Sequence, residues 1–110
     1  MRTTTSAVRV YLSLGANLGD RRANLAAALR ALDDTPGVRL IDWSHCYETA
    51  PLGDRNQPAF LNLAAEIETE FAPLGLLNAA KEIEQRLGRE PSYRWGPRSI
   101  DIDVILWGDT

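Results

Sequence analysis

Ala59-Phe60-Leu61-Asn62-Leu63-Ala64-Ala65-Glu66-Ile67-Glu68-Thr69 alternates without a break. Leu61, Leu63, Ala65 and Ile67 fall on one face, and Phe60, Asn62, Ala64 and Glu66 on the other. A period of two belongs to a strand with one buried face. Toward the N-terminus, residues 49–58 (Thr-Ala-Pro-Leu-Gly-Asp-Arg-Asn-Gln-Pro) carry two prolines and a glycine and read as a loop. Val38 to Tyr47 is rich in β-formers and reads as a single strand, although its alternation gives no orientation. Before it, Asp20 is a suitable N-cap for a helix carrying Leu25, Ala28, Leu29 and Leu32, which Asp33-Asp34-Thr35-Pro36-Gly37 closes. Val8, Val10, Leu12 and Leu14 alternate with Arg9, Tyr11 and Ser13 in the first strand.

Toward the C-terminus, Pro73 opens a second helix with the apolar stripe Leu76, Ala80, Ile83 and Leu87, and Gly88 suits its end. Arg89 to Pro97 is an Arg-rich loop. Ser99 to Trp107 is a fourth strand, with Ile100, Ile102, Val104 and Leu106 assigned to one face. The order is βαββαβ. Two amphipathic helices and strands with one apolar face each predict an α+β, ferredoxin-like domain over residues 1–110, with two helices on one face of a four-stranded antiparallel sheet. The other sheet face is left open.

Composition narrows the function. The chain has 110 residues, one domain's worth, with 45% hydrophobic and 25% charged residues, which excludes a disordered chain. No apolar run approaches the ~20 residues of a membrane span, and Met1 to Ser6 lacks the apolar stretch of a leader. The expectation is a cytoplasmic protein with no membrane partner. Cys46 is the only cysteine, so no internal disulfide forms, and the lone His45 cannot build a His-rich metal site. A formal net charge of −3 argues against a nucleic-acid partner. Between Arg86 and Arg98, however, Arg86, Arg89, Arg94 and Arg98 face the single acid Glu90. That local surplus fits a small polyanion such as a nucleotide triphosphate, or else a solvated loop.

Asp101 and Asp103 carry the sharpest chemical signal. On a strand they project from the same face, about 7 Å apart at the backbone. Two carboxylates so placed repel unless a cation lies between them. Mg²⁺ suits them, since it binds through one or two carboxylates together with substrate phosphates; the competing reading is a solvated strand face. Arg94 and Arg98, on the loop leading into that strand, offer planar forks matched to phosphate oxygens, and Trp95 can cover a flat ligand. Phe60 and Asn62 share the open face with the two acids, and a ring beside an amide suits a planar heterocycle. Gly15-Ala16-Asn17-Leu18-Gly19 is neither a dinucleotide fingerprint nor a Walker A loop, so its glycines need do no more than make a turn.

Arg94-Trp95-Gly96-Pro97-Arg98-Ser99-Ile100-Asp101-Ile102-Asp103-Val104-Ile105 closely resembles the signature of the 6-hydroxymethyl-7,8-dihydropterin pyrophosphokinase family of folate biosynthesis. Tyr11 to Arg21, Tyr47 to Gly53, Gln57 to Asn62 and Leu87-Gly88-Arg89 resemble further family segments, so the likeness runs over roughly residues 8–108. The resemblance implies an ATP- and Mg²⁺-dependent diphosphotransferase that moves diphosphate from ATP to the pterin hydroxymethyl group and releases AMP. It implies that Asp101 and Asp103 hold two Mg²⁺ ions and, with Arg98, form the catalytic set. It implies that Thr49, Leu52, Phe60, Asn62 and Trp95 bind the pterin, and that Leu77, Glu84, Arg89, Arg94 and Arg98 serve ATP.

Family members continue beyond the Asp-x-Asp strand into a segment with a Pro-His-Pro run, a basic residue for ATP and a second aromatic for the pterin. The sequence stops at Thr110, so the resemblance implies a short form without these parts. Pro91 stands where many members carry Arg, Ala16 where Ser is commoner, and Phe60 replaces a frequent Tyr. The alternative function is therefore a catalytically weak or inactive pterin- or nucleotide-binding module, and a third is an enzyme completed by another subunit. A monomer is the expected state. An RNA-recognition domain shares the βαββαβ order, but the acidic charge and the lack of its aromatic run argue against it.

Overall fold

The computed structural model describes residues 7–50, 56–88 and 99–108. Strand β1 (Val8–Ala16) is central. Its alternation places Val10, Leu12 and Leu14 in the core, and Ala16 is buried with them. Helix α1 (Arg21–Asp33) begins where expected: Asp20 caps it, its side chain accepting from the Ala23 amide at 3.1 Å. Leu25, Ala28 and Leu32 form its buried stripe.

The segment after α1 corrects the expected four-strand sheet. It forms two strands, β2 (Val38–Trp43) and β3 (Tyr47–Thr49), both paired to β4 (Phe60–Thr69). Ser44 is the physical reason for the break. Its amide donates to the Ala64 carbonyl at 2.8 Å, and its hydroxyl accepts from the Ala64 amide at 2.9 Å. A side-chain oxygen thus stands in for a main-chain acceptor, and the strand is interrupted without leaving Ala64 unpaired. The missing orientation of this segment also has a cause. Leu40 pairs with Ile67 and Asp42 with Glu66, so Ile41 is an extra residue that shifts the phase. Thr49, assigned to a loop from sequence, closes β3.

Helix α2 (Pro73–Arg86) follows β4, with Pro73 in its first turn and Gly88, at φ +85°, just past its end. Leu76, Ala80, Ile83 and Glu84 are buried. Strand β5 (Asp101–Trp107) completes an antiparallel sheet of order β2-β4-β1-β5, with β3 beside β4. Both helices contribute to one core with Val10, Leu12, Leu14, Leu61, Leu63, Ala65 and Ile67, so they cover one face of the sheet. The other face carries an ion-pair ladder. Arg9 meets Glu66 and Glu68, and Arg39 meets Glu68. The hydrogen bond from Arg39 is the main cause that draws the Glu68 carboxyl below its usual range. The pairs to Glu68 are therefore lost in acid, as Glu68 protonates, and are present at neutral pH. Being exposed, the ladder adds little stability. Among the described residues no helix is long and apolar enough to cross a membrane.

Strand β5 departs from simple alternation. Val104 pairs with Leu12 but Leu106 pairs with Tyr11, so Ile105 is bulged and the phase reverses beyond it. Trp107, opposite Val10, packs against the core in place of Leu106, which is 40% exposed on the other face. The assignment of Leu106 to the same face as Ile100 and Ile102 is thereby corrected. Ile102→Ala is expected to lower the stability to urea unfolding by about 2–4 kcal/mol, as for a buried aliphatic. Leu106→Ala should cost less than about 1 kcal/mol; equal losses would contradict the bulged register.

Candidate active site

Three strands bring distant residues onto one line. Gly15 of β1 pairs with Asn62 of β4 on one side and with Asp101 of β5 on the other. Paired residues lie roughly 5 Å apart, so Asn62 and Asp101 stand about 10 Å apart across Gly15. One step along, Ser13 lies between Ala64 and Asp103. Ile102, between the two aspartates, is buried, so both carboxylates lie on the face away from the helices. Asp101 is half-buried and Asp103 exposed.

Gly15 is the floor of this line. A Cβ built there would stand 2.8 Å from Asn62 Oδ1 and 3.5 Å from a ring carbon of Phe60. The first distance is too short for any side chain. Gly15 is itself buried, and its lack of a Cβ is what lets the Asn62 and Phe60 side chains lie close over β1 at that point. This role was not visible in the sequence, where the glycine sits in an ordinary strand-to-helix loop.

Asn62 is oriented by Thr49. Its Nδ2 donates to Thr49 Oγ1 at 2.7 Å, and its Oδ1 is directed over Gly15. An N–H of a ring lying on the floor can be accepted there. Phe60, two residues away on the same strand and half-buried, adds a ring to the same end. The fold therefore gathers Thr49, Phe60, Asn62, Asp101 and Asp103 on one open face. An aromatic and amide end adjoins an acidic end.

The loops at this end are tied by residues that the sequence did not single out. Asn17 is buried and donates to Gln57 Oε1 at 2.8 Å and to the Pro58 carbonyl at 3.0 Å. Arg21 donates to the Ala59 carbonyl at 2.9 Å and pairs with Glu48 at 2.8 Å. These bonds fasten the start of β4 to the β1–α1 turn and to β3. Asn17 lies in a run with the composition of a loop, which carries no signal of burial. A separate polar cleft of about 460 Å³ lies between the start of α1 and β3, lined by Asp20, Arg21, Tyr47 and Glu48 among others, and it contains none of the expected site residues.

Glu84 and Leu77 belong to α2, on the helix-covered side of the sheet. Leu77 is exposed on α2, while Glu84 is buried and accepts from the Ile102 amide at 2.8 Å. Leu52, Arg89, Arg94, Trp95 and Arg98 lie outside the described residues. Among the described residues, no three His, Cys, Asp or Glu side chains cluster as a metal cage. Two carboxylates on one strand face are nonetheless a donor set that suits Mg²⁺, whose remaining positions are commonly filled by phosphate oxygens and water.

The family model for 7,8-dihydro-6-hydroxymethylpterin-pyrophosphokinase matches residues 11–109. The chain is 50% identical over 99 residues to a 2-amino-4-hydroxy-6-hydroxymethyldihydropteridine pyrophosphokinase of Methylorubrum extorquens, covering 90% of this chain and 63% of that one. It is 45% identical over 101 residues to the protein of the same name from Pseudomonas aeruginosa, covering 92% and 62%. It is also 43% identical over 99 residues to the folic acid synthesis protein fol1 of Schizosaccharomyces pombe, covering 90% and 14%. The chain thus spans less than two thirds of the length of each of these relatives.

Gly15→Ala is expected to cost about 1–3 kcal/mol, as an overpacked site does. It should also shift the Asn62 side-chain amide resonances in a ¹H–¹⁵N spectrum, because Asn62 must leave Thr49 to admit the methyl group. Unchanged Asn62 signals would show that the floor is not tight. Asn17→Ala should cost about 1–3 kcal/mol in urea unfolding, by removing the two bonds that the buried Asn17 amide donates to Gln57 and to the Pro58 carbonyl.

Proposed function

The chain belongs to the 7,8-dihydro-6-hydroxymethylpterin-pyrophosphokinase family, and on that premise we propose that it transfers diphosphate from ATP to the hydroxymethyl group of 6-hydroxymethyl-7,8-dihydropterin, releasing AMP. The observation that carries the proposal is the in-register line Asn62–Gly15–Asp101. It brings the Phe60 and Asn62 end of the open face beside the Asp101 and Asp103 carboxylates, which supports a heterocycle end next to a phosphate end.

In this reading the pterin lies at the Phe60 and Asn62 end. Asn62 Oδ1 accepts from a ring N–H, Thr49 holds that amide in place, and Phe60 packs on the ring; Leu52 is assigned to the pterin by resemblance alone. The hydroxymethyl group then points along the floor toward Asp101. Its oxygen forms a bond to the β-phosphorus of ATP while the bond from that phosphorus to the α,β-bridging oxygen breaks. The hydroxyl proton is released, and the leaving oxygen departs on AMP. Holding the two oxygens in line is most of what such a transfer requires of a protein, because the remaining need is charge neutralisation.

Asp101 and Asp103 would hold Mg²⁺, two ions by family resemblance. Bound there, the ions would neutralise the triphosphate and support both the attacking and leaving oxygens. Arg94 and Arg98 are assigned by resemblance to phosphate oxygens, Arg89 to ATP and Trp95 to the pterin. The chain's strand order, with β3 as an addition alongside β4, supports a ferredoxin-like reading of the fold. The proposal carries with it a cytoplasmic monomer acting on two small molecules.

The test is AMP formation by the chain with ATP, Mg²⁺ and the pterin. We expect AMP that depends on all three. Asp101→Ala should lower its rate at least about a hundredfold, equivalent to roughly 2.7 kcal/mol of transition-state stabilisation. EDTA should abolish it. Pterin binding without AMP would replace the enzyme reading with that of a binding module. Asn62→Ala should raise KM for the pterin more than it lowers kcat, since Asn62 contacts the ring and not the reacting phosphorus.

A further inference from the structure

Glu84 is the one carboxylate among the buried polar and charged side chains of the described core. It sits beside Ile83 in the stripe of α2 that packs inward. Removing an ionised carboxylate from water costs several kcal/mol unless hydrogen bonds replace the hydration. The compensation includes a main-chain donor: Glu84 Oε2 accepts from the amide of Ile102 at 2.8 Å. Charge-assisted bonds of this kind are short and about twice as strong as neutral ones.

The identity of that amide matters. Ile102 lies between Asp101 and Asp103. Strand β5 ends its side of the sheet, so β1 is its only strand neighbour among the described residues. An edge strand held from one side is free to twist, and a twist at Ile102 would change the separation and direction of the flanking carboxylates. Three constraints converge at this residue: pairing with Leu14, burial of its side chain, and the bond to Glu84.

We propose that Glu84 is a positioning residue for the two aspartates. Through the Ile102 peptide, it fixes the geometry in which Asp101 and Asp103 share a divalent cation. This rests on the metal-site reading given under Proposed function. It differs from the nucleotide contact implied by family resemblance, because the Glu84 carboxylate is buried and turned to the strand.

Mn²⁺ binding to the chain, in the presence of a non-hydrolysable ATP analogue and read by electron paramagnetic resonance, tests the proposal without turnover. Glu84→Gln keeps an oxygen acceptor and should bind Mn²⁺ within about threefold of the unsubstituted chain. Glu84→Leu fills the space but removes the acceptor. It should weaken Mn²⁺ binding about tenfold or more, the range seen when the supports of metal ligands are removed. The ¹H–¹⁵N signal of Ile102 should move with it. KM for the pterin should stay within about twofold, since the pterin end is built on β3 and β4. Should Glu84→Leu not fold, Glu84→Asp keeps the charge and draws the acceptor back by one methylene, with a loss of severalfold expected. Wild-type Mn²⁺ affinity in a folded Leu or Asp variant overturns the proposal. Failure of Asp101→Ala to weaken Mn²⁺ binding removes the metal-site reading, and the inference with it. Normal Mn²⁺ behaviour with no AMP formed would sink the enzyme reading and leave the inference standing.

Discussion

The pairing of β1 with β4 on one side and β5 on the other is the constraint on which the rest depends. Strand β1 buries Val10, Leu12, Leu14 and Ala16 against two helices. A slip of one residue would turn that whole set toward solvent, so the register is set by the core and not by the site. Once the register is set, Gly15 must face Asn62 and Asp101. Hydrophobic burial on one face thereby fixes a polar arrangement on the other. Each good core residue is worth a few kcal/mol, and the site inherits that rigidity without contributing to it.

Polar side chains finish what the core leaves open. Ser44 bridges the gap between β2 and β3. Asn17 and Arg21 fasten the chain entering β4. Glu84 holds β5. Each replaces a main-chain or water partner at a point where regular pairing stops. Among the described residues, no buried side-chain nitrogen or oxygen lacks a hydrogen bond. That completeness is what a buried polar network needs if it is to order the chain and not weaken it.

Much of the fold was legible in the chain. The alternation of β1 and β4, the Asp20 cap, the Pro73 start and the Gly88 end are all local, and local chemistry decides them. The same alternation put Phe60 and Asn62 on one face and paired Asp101 with Asp103, since side-chain direction follows from a period of two. Family resemblance added the chemistry proposed for these residues. The break at Ser44 and the bulges at Ile41 and Ile105 were not legible, because each depends on what lies across the strand and not on what precedes it in the chain.

Residue pattern alone therefore established two amphipathic helices, strands with one apolar face, an acidic pair on a strand, and the family to which they point. The folded chain was needed to show that Gly15 separates Asn62 from Asp101, that Thr49 orients Asn62, and that Glu84 turns inward to the peptide between the two aspartates. Periodicity records how a residue relates to its near neighbours. It carries no record of a partner 18 or 40 positions away, such as Glu84 to Ile102 or Asn17 to Gln57. Those meetings are set by strand register and helix packing, which are fixed only when the whole core closes.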